Sequence, residues 1–218
     1  MGKRFDLLVF DWDGTLVDSA GHIVDSIRAA AQDLALPVPS QADALHIIGL
    51  GLKDAMAYLF PSLAADEYPR LGERYRFHYL AGDHKVPLFP GADAALRSWH
   101  ALGFQLAVAT GKSRHGLDRA LASFNIGRYF HASRCADEGF PKPHPQMLLW
   151  LIEALSAEPE RTLMIGDTTH DLEMARRAGV SAVAVAYGAH PRCELEPHAP
   201  LACAGSFAEL VQWVNENA

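Results

Sequence analysis

The sequence predicts an α/β protein, a parallel sheet with helices on both faces, interrupted after its first strand by an all-helical segment. Three observations carry this expectation. Short apolar runs of strand length occur at Leu7–Phe10, Phe104–Ala109, Thr162–Ile165 and Val180–Ala186. From about Leu88 onward, stretches of helical length alternate with them, the rhythm of β-α-β units with right-handed crossovers. Between about Val17 and Lys85 that rhythm stops, and no convincing strand is found.

Taken in order, Leu7-Leu8-Val9-Phe10 reads as a buried strand ending in the tight turn of Asp13-Gly14. Ile23, Ile27, Ala30 and Leu34 then fall at helical spacing until Pro37 and Pro39 interrupt. Leu52, Met56, Leu59 and Phe60 make a second apolar stripe, and Tyr75–Leu80 belongs to a further helical stretch. Pro90-Gly91 opens a helix running to Ala101, which Gly103 ends. Helices are expected at Arg114–Phe124, Met147–Ala154, Leu172–Ala178 with Gly179 as its C-cap, and Phe207–Val214. No internal repeat or low-complexity segment is visible.

A chain of 218 residues, half of them hydrophobic and 21% charged, can build one or two globular domains with a real core. Its net charge of −7 argues against nucleic acid as a partner, because phosphate backbones are bound by clustered Lys and Arg. A small anionic substrate remains open, provided a few cations or a metal converge locally. No run approaches the ~20 apolar residues of a membrane span. Met1-Gly2-Lys3-Arg4 leads straight into the first strand without an apolar signal segment, and Asp6 stands where myristoylation needs Ser or Thr. Cys135, Cys193 and Cys203 suggest no disulfide framework, and the expected compartment is the cytoplasm. His190, Cys193, His198 and Cys203 fit no common zinc spacing, and Pro191, Pro197 and Pro200 suggest an irregular surface loop.

The chemistry is expected at the carboxyl edge of the sheet, where open α/β sheets bind ligands. Asp11 and Asp13, two apart on an extended segment, would point the same way. Thr110-Gly111-Lys112-Ser113 offers a hydroxyl and backbone N–H groups suited to a phosphate oxygen, or an ordinary helix cap. It lacks the upstream glycine of a P-loop. Lys142 stands between Pro141 and Pro143, which stiffen its backbone. Gly166-Asp167 ends a strand, with Asp171 one helical turn on. Four converging carboxylates, Asp11, Asp13, Asp167 and Asp171, would repel by about 4 kcal/mol per pair at about 4 Å and an effective dielectric near 20. A hard divalent cation together with Lys142 would offset this, and Mg2+ is the natural choice because it keeps waters that a phosphate can replace.

Asp11-Trp12-Asp13-Gly14-Thr15, Thr110-Gly111, Lys142, and Gly166-Asp167 with Asp171 resemble, in order and spacing, the four motifs of the haloacid dehalogenase-like hydrolase superfamily. The resemblance covers essentially the whole chain. The helical insert resembles the cap of the phosphoglycolate phosphatase-like branch. It implies a Rossmann-like core over residues 1–16 and 86–218 and a helical cap domain over 17–85. It further implies a Mg2+-dependent phosphatase for a small phosphorylated metabolite, phosphoglycolate-like or a sugar phosphate, acting as a monomer or homodimer. By matched position, Asp11 would become an aspartyl phosphate and Asp13 would act as acid and base. Thr110 and the backbone of Gly111 would hold phosphoryl oxygens, and Lys142 would neutralise charge on them and on the nucleophile. The metal would be held by Asp11, the Asp13 backbone carbonyl and Asp167, with Asp171 as ligand or supporting residue.

Specificity is expected from the cap loop His46–Lys53, where phosphoglycolate phosphatases often carry an Arg. Here His46 and Lys53 are the candidate contacts for a substrate carboxylate. A β-phosphoglucomutase-like phosphomutase shares the same core residues, and a phospho-accepting signalling domain also combines acids, a Thr and a Lys on a parallel sheet. The long insert and the Asp11-x-Asp13 pair argue against the latter. A true dehalogenase would lack Asp13.

Overall fold

A computed structural model describes residues 3–218, apart from the side chain of His84, and the expectations drawn from Met1-Gly2 lie outside those residues. The first strand, β1 (Leu7–Phe10), leads into the helical insert of α1 (Ala20–Asp33), α2 (Gln41–His46), α3 (Leu52–Leu59) and α4 (Tyr68–Gly82). There follow α5 (Ala92–Ala101), β2 (Gln105–Thr110), α6 (Arg114–Phe124), β3 (Ala132–Cys135) and α7 (Gln146–Ala154). The chain closes with β4 (Thr162–Gly166), α8 (Thr169–Ala178), β5 (Ser181–Val185), α9 (Arg192–Leu195), β6 (Cys203–Ala204) and α10 (Phe207–Asn217).

All six strands are parallel, in the order β3-β2-β1-β4-β5-β6. This is the doubly wound order, with β1 central and successive strands added outward on one side of it as β2 and β3 and on the other as β4 to β6. β1 is buried on both faces, which is why it reads as a continuous apolar run rather than an alternating one. Leu8 and Phe10 pack with Leu96, Trp99 and Leu210 on one side of the sheet, and the Phe10 and Trp99 rings stack 5.7 Å apart. Leu7 and Val9 pack with Leu148, Leu151 and Met174 on the other. Burying each such side chain contributes about 1.5–3 kcal/mol, so the strand that carries Asp11 is anchored from both layers.

The insert has a core of its own around Ile23, Ile27, Met56 and Leu71. It joins the sheet domain through two chain crossings lying side by side: Asp18 N–H donates to Pro87 C=O, and Phe89 N–H to Leu16 C=O, both at 3.0 Å.

Four elements, β3, β6, α2 and α9, go beyond the sequence-based reading. β3 and β6 are short edge strands, and β3 carries only one fully buried residue, Cys135, so neither presents an apolar run. α2 starts at Ser40, whose hydroxyl accepts from Asp43 N–H, a local capping signal that the prolines beside it obscured. α8 begins three residues earlier than expected because Thr168 and Asp171 form a reciprocal capping box. The expected irregular loop after His190 contains α9 and β6, and His190 itself is buried. Among the described residues no helix is long and apolar enough to cross a membrane.

Candidate active site

Register places the site. Phe10 pairs with Val108 of β2 and with Ile165 of β4, so the residues just beyond these pairs meet at one edge. They are Asp11, Thr110-Gly111 and Gly166-Asp167. Lys142 arrives from the loop between β3 and α7, wholly buried, with Nζ donating to Asp11 Oδ1 at 2.6 Å and standing 2.6 Å from Asp171 Oδ1. Carboxylate oxygens of Asp11, Asp167 and Asp171 lie within 4.8 Å of one another, and all three residues are buried. Asp167 is oriented by Thr15 Oγ1, which donates to Oδ1 at 2.7 Å, and by Ala189 N–H, which donates to Oδ2 at 2.8 Å. Gly14, with φ +80°, presses so close that a Cβ there would meet Asp167 Oδ2 at 2.1 Å; only glycine fits that turn.

The electrostatics are those of an excess of buried acid. Burial pushes the Asp11 carboxyl well above the usual carboxylate range; Lys142 pulls it back, while the charges of Asp171 and Asp167 push it further up. Burial, then the charge of Asp171, pushes Asp167 up to about 7. Burial alone would pull the Lys142 ammonium down, but Asp11 and Asp171 outweigh it and keep it above the ordinary lysine value. Asp11 Oδ2 accepts no hydrogen bond among the described residues, and Asp171 Oδ1 has only its 2.6 Å ion contact with Lys142. Three buried carboxylates against one cation, all oxygen donors and one of them unsatisfied, fit a hard divalent cation.

The fourth expected member stands apart. Asp13 does not join the acid cluster: Ser19 Oγ donates to its Oδ1 at 2.7 Å, and Lys112 Nζ pairs with its Oδ2 at 3.0 Å. The two-residue alternation fails because the chain leaves the extended path at once, Leu16 and Val17 N–H both donating to Trp12 C=O. The expectation of four converging carboxylate side chains is therefore corrected to three.

Beside this cluster, the cap loop closes on the strand ends. A Cβ on Gly111 would meet Leu50 O at 2.5 Å and Gly49 O at 2.7 Å. Between cap and core lies a cavity of about 580 Å3, lined by Asp13, Gly111 and Lys112 of the core and by Leu50, Leu52 and Lys53 of the cap. Thr110, fully buried, accepts from Lys112 N–H at 3.2 Å.

A sequence profile of the haloacid dehalogenase-like hydrolases matches residues 8–185. The chain is a haloacid dehalogenase-like hydrolase. This hydrolase is 34% identical over 211 residues to "Probable phosphatase IndB" of Dickeya dadantii, covering 94% of this chain and 91% of that one. To the phosphoglycolate phosphatase of Agrobacterium fabrum it is 33% identical over 201 residues, covering 88% of this chain and 85% of that one. Its fold superposes on the crystal structure of a hydrolase from Pseudomonas syringae with a TM-score of 0.89, at 23% identity and covering 98% of this chain and 99% of that chain.

Of the two cap candidates in this hydrolase, Lys53 lines the cavity and His46 does not. The His46 ring stacks on His190 at 5.3 Å and tilts against Tyr58. Its carbonyl accepts from His170 Nε2 at 2.9 Å and His190 Nε2 at 3.2 Å, holding α2 to the core. Thr169 N–H donates to His190 Nδ1, so both ring nitrogens of His190 are engaged and none is left for a metal beside Glu194. Burial holds His170 and His190 below the ordinary histidine pKa.

Ser19, Thr15, Tyr79 and the ion-paired role of Lys112 escaped the sequence reading. Lys112 was visible as the cation of Thr110-Gly111-Lys112-Ser113 and Thr15 as the last residue of the Asp11–Thr15 motif, whereas Ser19 and Tyr79 carry no local signal.

Proposed function

We propose that this phosphatase hydrolyses a small phosphorylated metabolite, of the class that includes phosphoglycolate and the sugar phosphates, through an aspartyl phosphate on Asp11 with Mg2+ as cofactor. The observation that carries the reading is the 2.6 Å contact of buried Lys142 with Asp11 inside the cluster of three acids. Membership of the hydrolase family and the phosphatase relatives support it.

Asp11 attacks phosphorus and the bond to the leaving oxygen breaks; water then cleaves the acyl phosphate, so one hard step becomes two easier ones. Asp13, at the cavity wall, gives the leaving oxygen its proton and later accepts one from water. Thr110 and the Gly111 backbone hold the phosphoryl oxygens, Lys142 neutralises the charge gathered on them, and Lys53 contacts the substrate from the cap. Mg2+ would be held by Asp11, Asp167, the Asp13 carbonyl and Asp171, and when bound it supplies positive charge facing the phosphoryl group. Acid–base help is worth only ~10²–10⁴-fold, against up to ~10²¹-fold needed for phosphate monoesters, so positioning and charge supply most of the acceleration.

The test is phosphate release from a panel of phosphorylated metabolites with and without Mg2+, run beside Asp11→Asn. Mg2+-dependent release that vanishes in the variant is expected. Release that persists in Asp11→Asn overturns the nucleophile.

A further inference from the structure

The cavity between cap and core identifies the kind of leaving group. It measures about 580 Å3 and is lined in part by Asp13, Gly111 and Lys112, whereas Asp11, two residues before Asp13, is buried and outside the lining. On the phosphatase reading above, on which this inference rests, Asp13 protonates the leaving oxygen, so the leaving group must lie on the side of phosphorus that Asp13 faces. That side is the cavity. A two-carbon acid would leave most of it unfilled, and an unfilled apolar wall forfeits both dispersion contacts and the gain from removing its surface from water.

The wall chemistry narrows the class. More of the wall is apolar than polar, with Leu50 and Leu52 of the cap loop, Tyr75 and Tyr79 of α4, Trp12 after β1 and Phe124 of α6 among its residues. Tyr75 and Tyr79 lie 5.7 Å apart on the cap side, and Phe124, tilted 6.3 Å from the fully buried Trp12, is the core's aromatic contribution. Spacings of this kind accept another ring edge-on or offset. The cations that the core lends to the wall are already neutralised, Lys112 by Asp13 at 3.0 Å and Arg119 by Asp83 at 2.6 Å. The cap adds Lys53 and Arg76 to the lining, so the preference for a ring rests on the apolar part of the wall and not on a want of free cations.

We propose that the preferred substrates are phosphate monoesters whose alcohol carries an aromatic ring, seated against Tyr75, Tyr79 and Phe124 between cap and core. The bond broken is the ester P–O bond, the released alcohol takes the Asp13 proton, and water consumes the aspartyl phosphate.

Ethyl phosphate and 2-phenylethyl phosphate share the same primary alkyl leaving oxygen and differ by the ring. Their kcat/KM values, with that of phosphoglycolate, are measured with Mg2+ on the full-length protein and on Ala120→Phe, which fills part of the lining. The phenylethyl ester is expected to exceed both others by about tenfold or more, as burial of one ring supplies, and the phenylethyl-to-ethyl ratio is expected to fall in Ala120→Phe. Phosphate release with phosphoglycolate preferred, or with equal rates for the two esters, overturns the proposal and leaves the phosphatase standing. Release from none of the three overturns the phosphatase reading and this proposal with it.

Discussion

The ammonium of Lys112 lies 3.0 Å from Asp13 Oδ2, in an ion pair separate from the one that joins Lys142 to Asp11. Lys112 Nζ also donates to the Tyr79 hydroxyl of α4 at 2.9 Å, so the same side chain ties the cap to Asp13. The two aspartates, two apart in sequence, thus have different lysines, and only one of those lysines belongs to the cap interface.

Lys112→Met removes the partner of a carboxylate that is only 8% exposed. Steady-state kinetics should show kcat lowered about 10–100-fold, the scale of a small misplacement of a reacting group. Thermal unfolding should show a loss somewhat below the ~3–5 kcal/mol typical of a fully buried pair, since both partners retain some solvent contact. Unchanged kcat would mean that Asp13 is held by Ser19 alone.

Asp11→Asn should abolish turnover while leaving the fold intact. Burial already disfavours the Asp11 charge, so its removal relieves repulsion from Asp167 and Asp171. Thermal unfolding of the metal-free variant at neutral pH is expected to match or exceed the parent. A large drop in Tm would show that the Lys142–Asp11 pair is a structural requirement.

Metal removal should act with a definite pH sign. Asp167 is raised from the ordinary carboxylate value to about 7, so the metal-free folded state binds its proton more tightly than the unfolded chain does. Stability of that state therefore falls as pH rises from about 4 to about 7. A divalent cation binds the deprotonated carboxylates, so Mg2+ should raise Tm more at pH 7.5 than at pH 5.5, and chelation should reverse the gain. Equal Mg2+ effects at both pH values would contradict an acid-cluster site.

Gly111→Ala places a methyl group against the backbone carbonyls of Gly49 and Leu50. Those atoms belong to the closed cap loop and cannot yield without moving it, so kcat/KM should fall about tenfold or more. Gly21→Ala is the control: its Cβ meets nothing within 4 Å, and replacing a helical glycine should stabilise by about 0.5–1 kcal/mol. Equal activity in both variants would show that cap closure is not needed.

Much of the site was legible because its residues are local punctuation. Asp11, Thr110-Gly111, Lys142, Gly166-Asp167 and Asp171 sit where apolar strands end or prolines stiffen a loop, and a buried parallel strand betrays itself by a continuous apolar run. The edge strands β3 and β6 were not legible, since a partly exposed strand of a few residues needs no such run and is defined by the neighbour it pairs with. The direction of Asp13, the pairing of Lys112 with it, and the turning of His46 away from the cavity were also beyond the sequence. Each depends on where the cap docks, through contacts between residues far apart in the chain, such as Lys112 with Tyr79 and His46 with His190. By itself the sequence determined which residues stand at the carboxyl edge of the sheet, because periodicity and turn chemistry act over a few neighbours. Only the tertiary structure decided which carboxylate meets which cation, because electrostatic partners are chosen by distance in space rather than along the chain.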